Sequence, residues 1–193
     1  MDLDTLLSLC LGVGLAAACG FRVFVPLLVT SIAAQTGHLT LAGGFDWIGS
    51  KPALVVFAAA TLIEILAYYV PWIDNLLDVI AGPAAVVAGI VITASVVSDV
   101  DPVLRWTLAV IAGGGAAAAT QGATTLVRHV SSWATAGIGN HLVSTGEAVG
   151  SVTLSAMSIL APLVAAVLVA TLGLVALVLL IKRPWRGQQV SGA

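Results

Sequence analysis

Arg22 stands in the stretch Gly20-Phe21-Arg22-Val23-Phe24-Val25-Pro26-Leu27-Leu28, which sets a cation, a glycine and a proline inside one apolar run from Thr5 to Ala34. As a single helix that run would be about 45 Å long, against about 30 Å of hydrocarbon in a bilayer. A guanidinium near its middle costs at least a few kcal/mol unless it meets a counter-charge, a carbonyl or water. The residue therefore demands a partner. Glu64, inside a second apolar segment from Pro52 to Val70, is the favoured one, and Asp74 and Asp78 are the other acids that follow in the first half. Each member of such a pair lowers the desolvation cost of the other. The pair could be a fixed ion pair that sets helix register, or part of a solute or proton pathway. A third choice is that Arg22 snorkels to an interface.

Asp74 and Asp78 are spaced i, i+4 and share one helix face. They could form the acidic mouth of a cation path or hold a divalent ion with Glu64. The plainer reading is a solvated face, since two carboxylates without further oxygen ligands make a weak metal site. Thr120, Gln121, Thr124 and Thr125 collect hydrogen-bonding groups around Gly122 in a later apolar run. Threonines often bond their own helix carbonyls, but as a group these four suit the lining of a hydrated break. Arg128 and His129 follow; His129 could respond to protons or be an ordinary interfacial histidine. Glu147 reads as a loop carboxylate unless its segment folds back. Cys10 and Cys19 read as small packing residues. The chain carries no nucleophile with a base, no zinc-ligand spacing and no phosphate loop, so neither enzyme activity nor a cofactor is expected.

The elements that must position these groups follow from composition. The chain of 193 residues is 60% hydrophobic and 8% charged, where soluble domains carry about 25% charged residues. That balance predicts an all-α polytopic bundle of about five or six membrane segments, with membrane lipids as surroundings. A net charge of −2 gives no footprint for nucleic acid. The acidic start, Met1-Asp2-Leu3-Asp4, is unlike the positive region of a cleaved leader, so the first run is expected to be retained. Gln35 to Lys51 reads as an interfacial loop with Trp47 at headgroup level. Trp72 to Ala81 reads as a short amphipathic helix, Gly82-Pro83 as a break, and Ala84 to Val97 as a third span. A long run from Val103, a polar loop from Gly137 to Gly150 and an apolar segment from Val152 to Ile181 complete the chain.

At a shift of 102 residues, Gly12, Ala16 and Gly20 superimpose on Gly114, Ala118 and Gly122. Both triplets are small-residue faces of the kind that lets helices approach closely in lipid. The spacing predicts two repeat halves, residues 1–98 and 102–183, joined at 99–101 and followed by a tail at 184–193. Gly20, Pro26 and Gly122 are the expected helix breaks. If each broken run crosses the membrane, the halves have inverted topology, as in transporters with a site near the midplane; if each re-enters, fewer full crossings result. Lys182, Arg183 and Arg186 predict a cytoplasmic C-terminus in a bacterial inner membrane.

The stretch Gly20 to Leu28, with Glu64-Ile65-Leu66-Ala67-Tyr68-Tyr69-Val70-Pro71-Trp72-Ile73-Asp74-Asn75-Leu76-Leu77-Asp78 and Gly82-Pro83, resembles the membrane family called domain of unknown function 4126. The likeness covers most of residues 8 to 160. The resemblance implies a polytopic membrane protein without an assigned activity. It also implies an aspartate-lysine pair before the second motif's proline, where this chain has Tyr68 and Tyr69; Glu64 is left as the main acid of that helix.

The resulting expectation is a transporter or channel for a small solute or ion, lined by Arg22, Glu64 and the Thr120 to Thr125 break. The alternative is a membrane scaffold or lipid-interacting protein that forms a homo-oligomer through its small-residue faces.

Overall fold

The computed structural model describes residues 3–68, 71–98, 100–135 and 139–182. Among them every regular element is helical and no strand occurs. The helices are α1 (Leu3–Cys19), α2 (Phe24–Gln35), α3 (Lys51–Ala67), α4 (Pro71–Val96), α5 (Pro102–Leu108), α6 (Gly115–Thr135), α7 (Asn140–Leu160) and α8 (Pro162–Lys182). A π-helical segment, Ala109–Gly114, joins α5 to α6, so that Pro102–Thr135 runs as one helix. That helix, and α4 over Val79–Val96, are long and apolar enough to cross a membrane; α1, α2 and Pro162–Val175 are shorter apolar helices.

α1 is the axis of the bundle and packs against α4, α6, α7 and α8. Its seam with α4 is apolar: Leu11, Leu15 and Cys19 meet Ala85, Ala88, Ile92 and Val96. Small residues set the spacing. A Cβ on Gly20 would lie 2.6 Å from both the Ala117 carbonyl and Thr120 Cβ, and one on Gly89 would lie 2.7 Å from Ala117 Cβ. Gly113, inside the π-helical segment, presses equally closely on Gly89 and Thr93 of α4. Thr93 in turn donates its hydroxyl to the Gly12 carbonyl at 3.1 Å.

Around this apolar core, large apolar side chains also cover much of the outside. Val55, Val56, Leu62, Ile63 and Leu66 of α3, Leu126, Val127 and Val130 of α6, and Val164 and Val167 of α8 face outward. Inside lie Arg22, Glu64, Arg128, Glu147 and a run of serines on α7. Isolated exposed apolar residues are ordinary, but contiguous apolar faces around a charged interior are not.

Several expectations change. The amphipathic helix, the Gly82-Pro83 break and the third span are one element, α4, with Pro83 inside it. A proline there removes one helix hydrogen bond. The buried stripe Ala81, Ala85, Ala88, Ile92 and Val96 continues past Pro83 at helical spacing, and its packing holds the helix through the proline. The expected polar loop from Gly137 to Gly150 is helical from Asn140 onward. Ser144, Glu147, Ser151, Ser155 and Ser158 recur at helical spacing and turn inward, so their polarity marks a buried helix face rather than a loop. The apolar segment from Val152 divides at Ala161 (φ −147°, ψ 70°), because a following proline disfavours helical backbone. Gly122 breaks nothing: α6 runs through it, and the irregular turn lies earlier, at Ala109–Gly114. Pro26 sits in the first turn of α2 and begins that helix. Gly20 alone of the three lies in a real interruption.

The small-residue faces are also half corrected. Gly12, Ala16 and Gly20 pack as expected, and so does Gly114, buried against Ile90; of the other two expected positions, Ala118 and Gly122 face outward, and Gly113 and Ala117 pack instead. Gly20→Ala should therefore lower stability by about 1–3 kcal/mol through overpacking against α6. Gly122→Ala should be neutral or stabilising by up to about 1 kcal/mol, since its Cβ meets open space. Unfolding midpoints in one detergent test this ordering, and equal losses for the two variants would refute the packing described.

Candidate functional site

α1 ends where Gly20, Phe21 and Arg22 donate their N–H groups to Ala17 and Ala18 carbonyls at 3.0 to 3.2 Å. α2 starts only at Phe24. The first N–H groups of a helix have no partner within it, and the helix dipole favours a negative charge there. Glu64 meets both needs from α3: Oε1 accepts from Val23 N–H at 2.7 Å and Oε2 from Phe24 N–H at 3.1 Å. Glu64 is thus the cap of α2, supplied by another helix.

This arrangement corrects the expected Arg22–Glu64 pair. With both Glu64 oxygens holding backbone N–H groups, Arg22 turns to α7. Its Nη2 donates to the Ser144 carbonyl at 2.8 Å and to Ser144 Oγ at 2.5 Å, and lies 3.5 Å from Glu147 Oε2. Glu147 also takes a second arginine side-on. Arg128 Nε donates to Glu147 Oε1 at 2.9 Å and its Nη2 to Oε2. Both guanidiniums stack over the Tyr68 ring at the end of α3, their carbons 3.8 Å (Arg22) and 4.3 Å (Arg128) from its centroid. Such contacts favour a cation over an aromatic face, more so where water is excluded.

The cluster therefore joins two arginines, two carboxylates and a tyrosine from α3, α6, α7 and the α1–α2 break. All five side chains are buried, and that of Arg22 has 0% exposure. Two nitrogens of Arg22, Nε and Nη1, have no hydrogen-bond partner among the described residues. Each ion would cost several kcal/mol to desolvate alone, and mutual attraction offsets that only with good geometry. The side-on fork between Arg128 and Glu147 supplies such geometry.

The remaining predicted residues are less central. Thr124 and Thr125 both donate to the Gln121 carbonyl, at 3.0 and 2.8 Å, within a continuous helix, and so line no break. Thr120 and the Gln121 backbone form the wall against Gly20. His129 is exposed, with Nδ1 2.7 Å from the Thr125 carbonyl, and lines a shallow surface hollow with Val130, Trp133 and Ala134. Asp74 and Asp78 lie on α4, but their side chains fall outside the described residues. Glu147, expected in a loop, is in the helical interior. Sequence reasoning missed Arg128, Glu147, Ser144 and Tyr68 as site residues. The signal for the first two was present: Arg128 in an apolar helix needs a buried acid for the same reason that Arg22 does.

A family model described as Domain of unknown function (DUF4126) matches residues 9–182 and so extends through α8. No curated protein and no solved structure matches the chain.

Glu147→Gln leaves two buried guanidiniums without their shared carboxylate and should cost about 3–5 kcal/mol. Glu64→Gln keeps one carbonyl acceptor for α2 and should cost about 1–2 kcal/mol, in the range of a lost helix cap. Denaturant unfolding in mixed micelles checks the order. Glu64→Gln proving the costlier would restore the Arg22–Glu64 pair.

Proposed function

The chain belongs to the family described as Domain of unknown function (DUF4126), and from that premise we propose that it is an integral membrane protein that moves a small solute or ion through a polar site between two repeat halves. One observation carries the reading: the buried cluster of Arg22, Glu147, Arg128, Glu64 and Tyr68 assembles at the interruption between α1 and α2, inside a bundle with an apolar exterior. A well-packed apolar core would hold the helices as well as buried ion pairs do, so the charges need a purpose other than stability. Irregular backbone at membrane depth is tolerated where it lines a protein-enclosed site, and half-helix ends are the usual way to build one.

Lengths agree with half-helices. α1, at 17 residues, is about 25 Å long and α2, at 12 residues, about 18 Å. Each is shorter than the hydrocarbon layer. The inverted repeat is supported by the order of elements in each half: a long interrupted or distorted run, then a helix, then a helix opened by a proline, Pro71 or Pro162. The basic residues Lys182, Arg183 and Arg186 favour a cytoplasmic C-terminus, in a bacterial inner membrane, and membrane lipids as the surroundings.

A second reading has its own observation. Gly115 and Gly122 on α6 have nothing within 4 Å of the Cβ they lack. An open small-residue face of this kind suits a homo-oligomeric scaffold.

Purified protein in proteoliposomes separates the two. A panel of urea, acetamide, chloride, potassium and protons is tested with wild type, Arg22→Lys and Arg22→Ala. The transport reading expects flux of at least one solute above that of empty vesicles, lowered about tenfold or more in the variants by loss of charged hydrogen bonds. Background flux for every solute leaves the scaffold reading in its place.

A further inference from the structure

The polar cluster is short of acceptors and balanced in charge, and that combination restricts what it can bind. Among the described side chains its formal charges are two positive, from Arg22 and Arg128, and two negative, from Glu64 and Glu147. Each carboxylate oxygen already accepts from a donor: Glu64 from the Val23 and Phe24 N–H groups, Glu147 from Arg128 Nε and Nη2 with Arg22 Nη2 beside them. A cation entering here has to compete with those donors for every carboxylate oxygen. What is left over is donors, on Nε and Nη1 of a fully buried Arg22.

Guanidinium geometry narrows the choice further. A bidentate oxyanion needs two N–H groups on one edge of the fork, and Nη2 is a member of both edges that arginine offers. Arg128 uses such an edge, Nε with Nη2, on Glu147. In Arg22 the shared nitrogen already serves Ser144 and Glu147. Nε and Nη1 alone point along different edges and accept no fork. A monovalent anion would in addition leave a neutral cluster with one uncompensated buried charge, which is unfavourable without a further cation.

We propose that the solute taken at this site is a small uncharged carbonyl compound, a hydrogen-bond acceptor engaged by the Nε and Nη1 donors of Arg22. The proposal rests on the transport reading above and goes beyond it by naming the chemical class. Tyr68 covers the guanidinium face, so the solute approaches in the guanidinium plane, where the free N–H groups point.

The test is selectivity of the wild-type protein, which depends on no variant folding correctly. Proteoliposomes are exposed to inward gradients of urea and of acetamide, read by stopped-flow light scattering, and in parallel to chloride, potassium and proton gradients read with ion-sensitive dyes. The expected result is urea or acetamide equilibration about tenfold or more faster than in empty vesicles, the size of effect a charged hydrogen-bond donor supplies, with ion fluxes at background. Arg22→Lys, which keeps the charge and loses the planar donor array, should remove most of the gain while preserving the elution profile and melting curve. Ion flux without urea or acetamide flux overturns the neutral-solute proposal and keeps the transport reading. Background flux for every probe overturns both.

Discussion

A guanidinium buried at a helix interruption has to be compensated within the fold, because an unpaired buried charge is costly. In this protein the Glu147 carboxylate on α7 contacts two buried guanidiniums, that of Arg22 and that of Arg128 on α6. The rest of the architecture can be understood as what holds that contact. Glu64 is drawn away from Arg22 by the open N–H groups of α2, and this frees Arg22 to face α7. Tyr68, directly after α3, closes over both guanidiniums. The end of α3 thus serves the cluster twice, once through an acid that caps a helix and once through a ring that covers two cations.

Close packing is the second condition. The interruption after α1 comes near α6 because Gly20 offers no side chain to the Ala117 carbonyl or to Thr120. The π-helical turn brings Gly113 against α4 in a similar way. Extra turns of this kind occur often where a helix must present something other than a regular face. Here the turn lies just before α6, whose buried residues are Ala117, Thr124 and Arg128. Without the glycines the α6 backbone would stand further from α1, and Arg128 could not share an acid with Arg22.

Much of this was legible in the chain, but unevenly. The helical class followed from composition, and the need of Arg22 for a partner followed from the cost of a buried cation. Family membership followed from the motifs around Arg22 and Glu64, and the family match over residues 9–182 agrees. The identity of the partner did not follow. The sequence offered Arg22 the acids Glu64, Asp74 and Asp78, whereas the direction of the α2 N–H groups engages Glu64 and leaves Arg22 to Glu147. Glu147 was hidden because a serine-rich stretch with scattered glycine looks like a loop when its polar side chains are assumed to face water. On α7 the same spacing marks a buried face. Gly122 and Pro83 misled for a related reason: glycine and proline interrupt an isolated helix, whereas packing on both sides carries α4 through its proline. The small-residue face held on α1 and at Gly114 but not at Ala118 and Gly122, where Ala117 packs instead, an error that alanine-rich sequence does nothing to expose.

The account turns on a difference between two arginines that share an acid: Arg128 has its Nε bonded to Glu147, while the Nε of Arg22 has no acceptor within the described fold. Solid-state nitrogen-15 NMR of the protein in lipid, with the arginines labelled and magnetisation transferred from water, reads that difference directly. The account predicts transfer from water to the Arg22 Nε–H and protection of the Arg128 Nε–H. Equal protection of both would mean a sealed, dry pair with purely structural arginines, and would contradict the site described here.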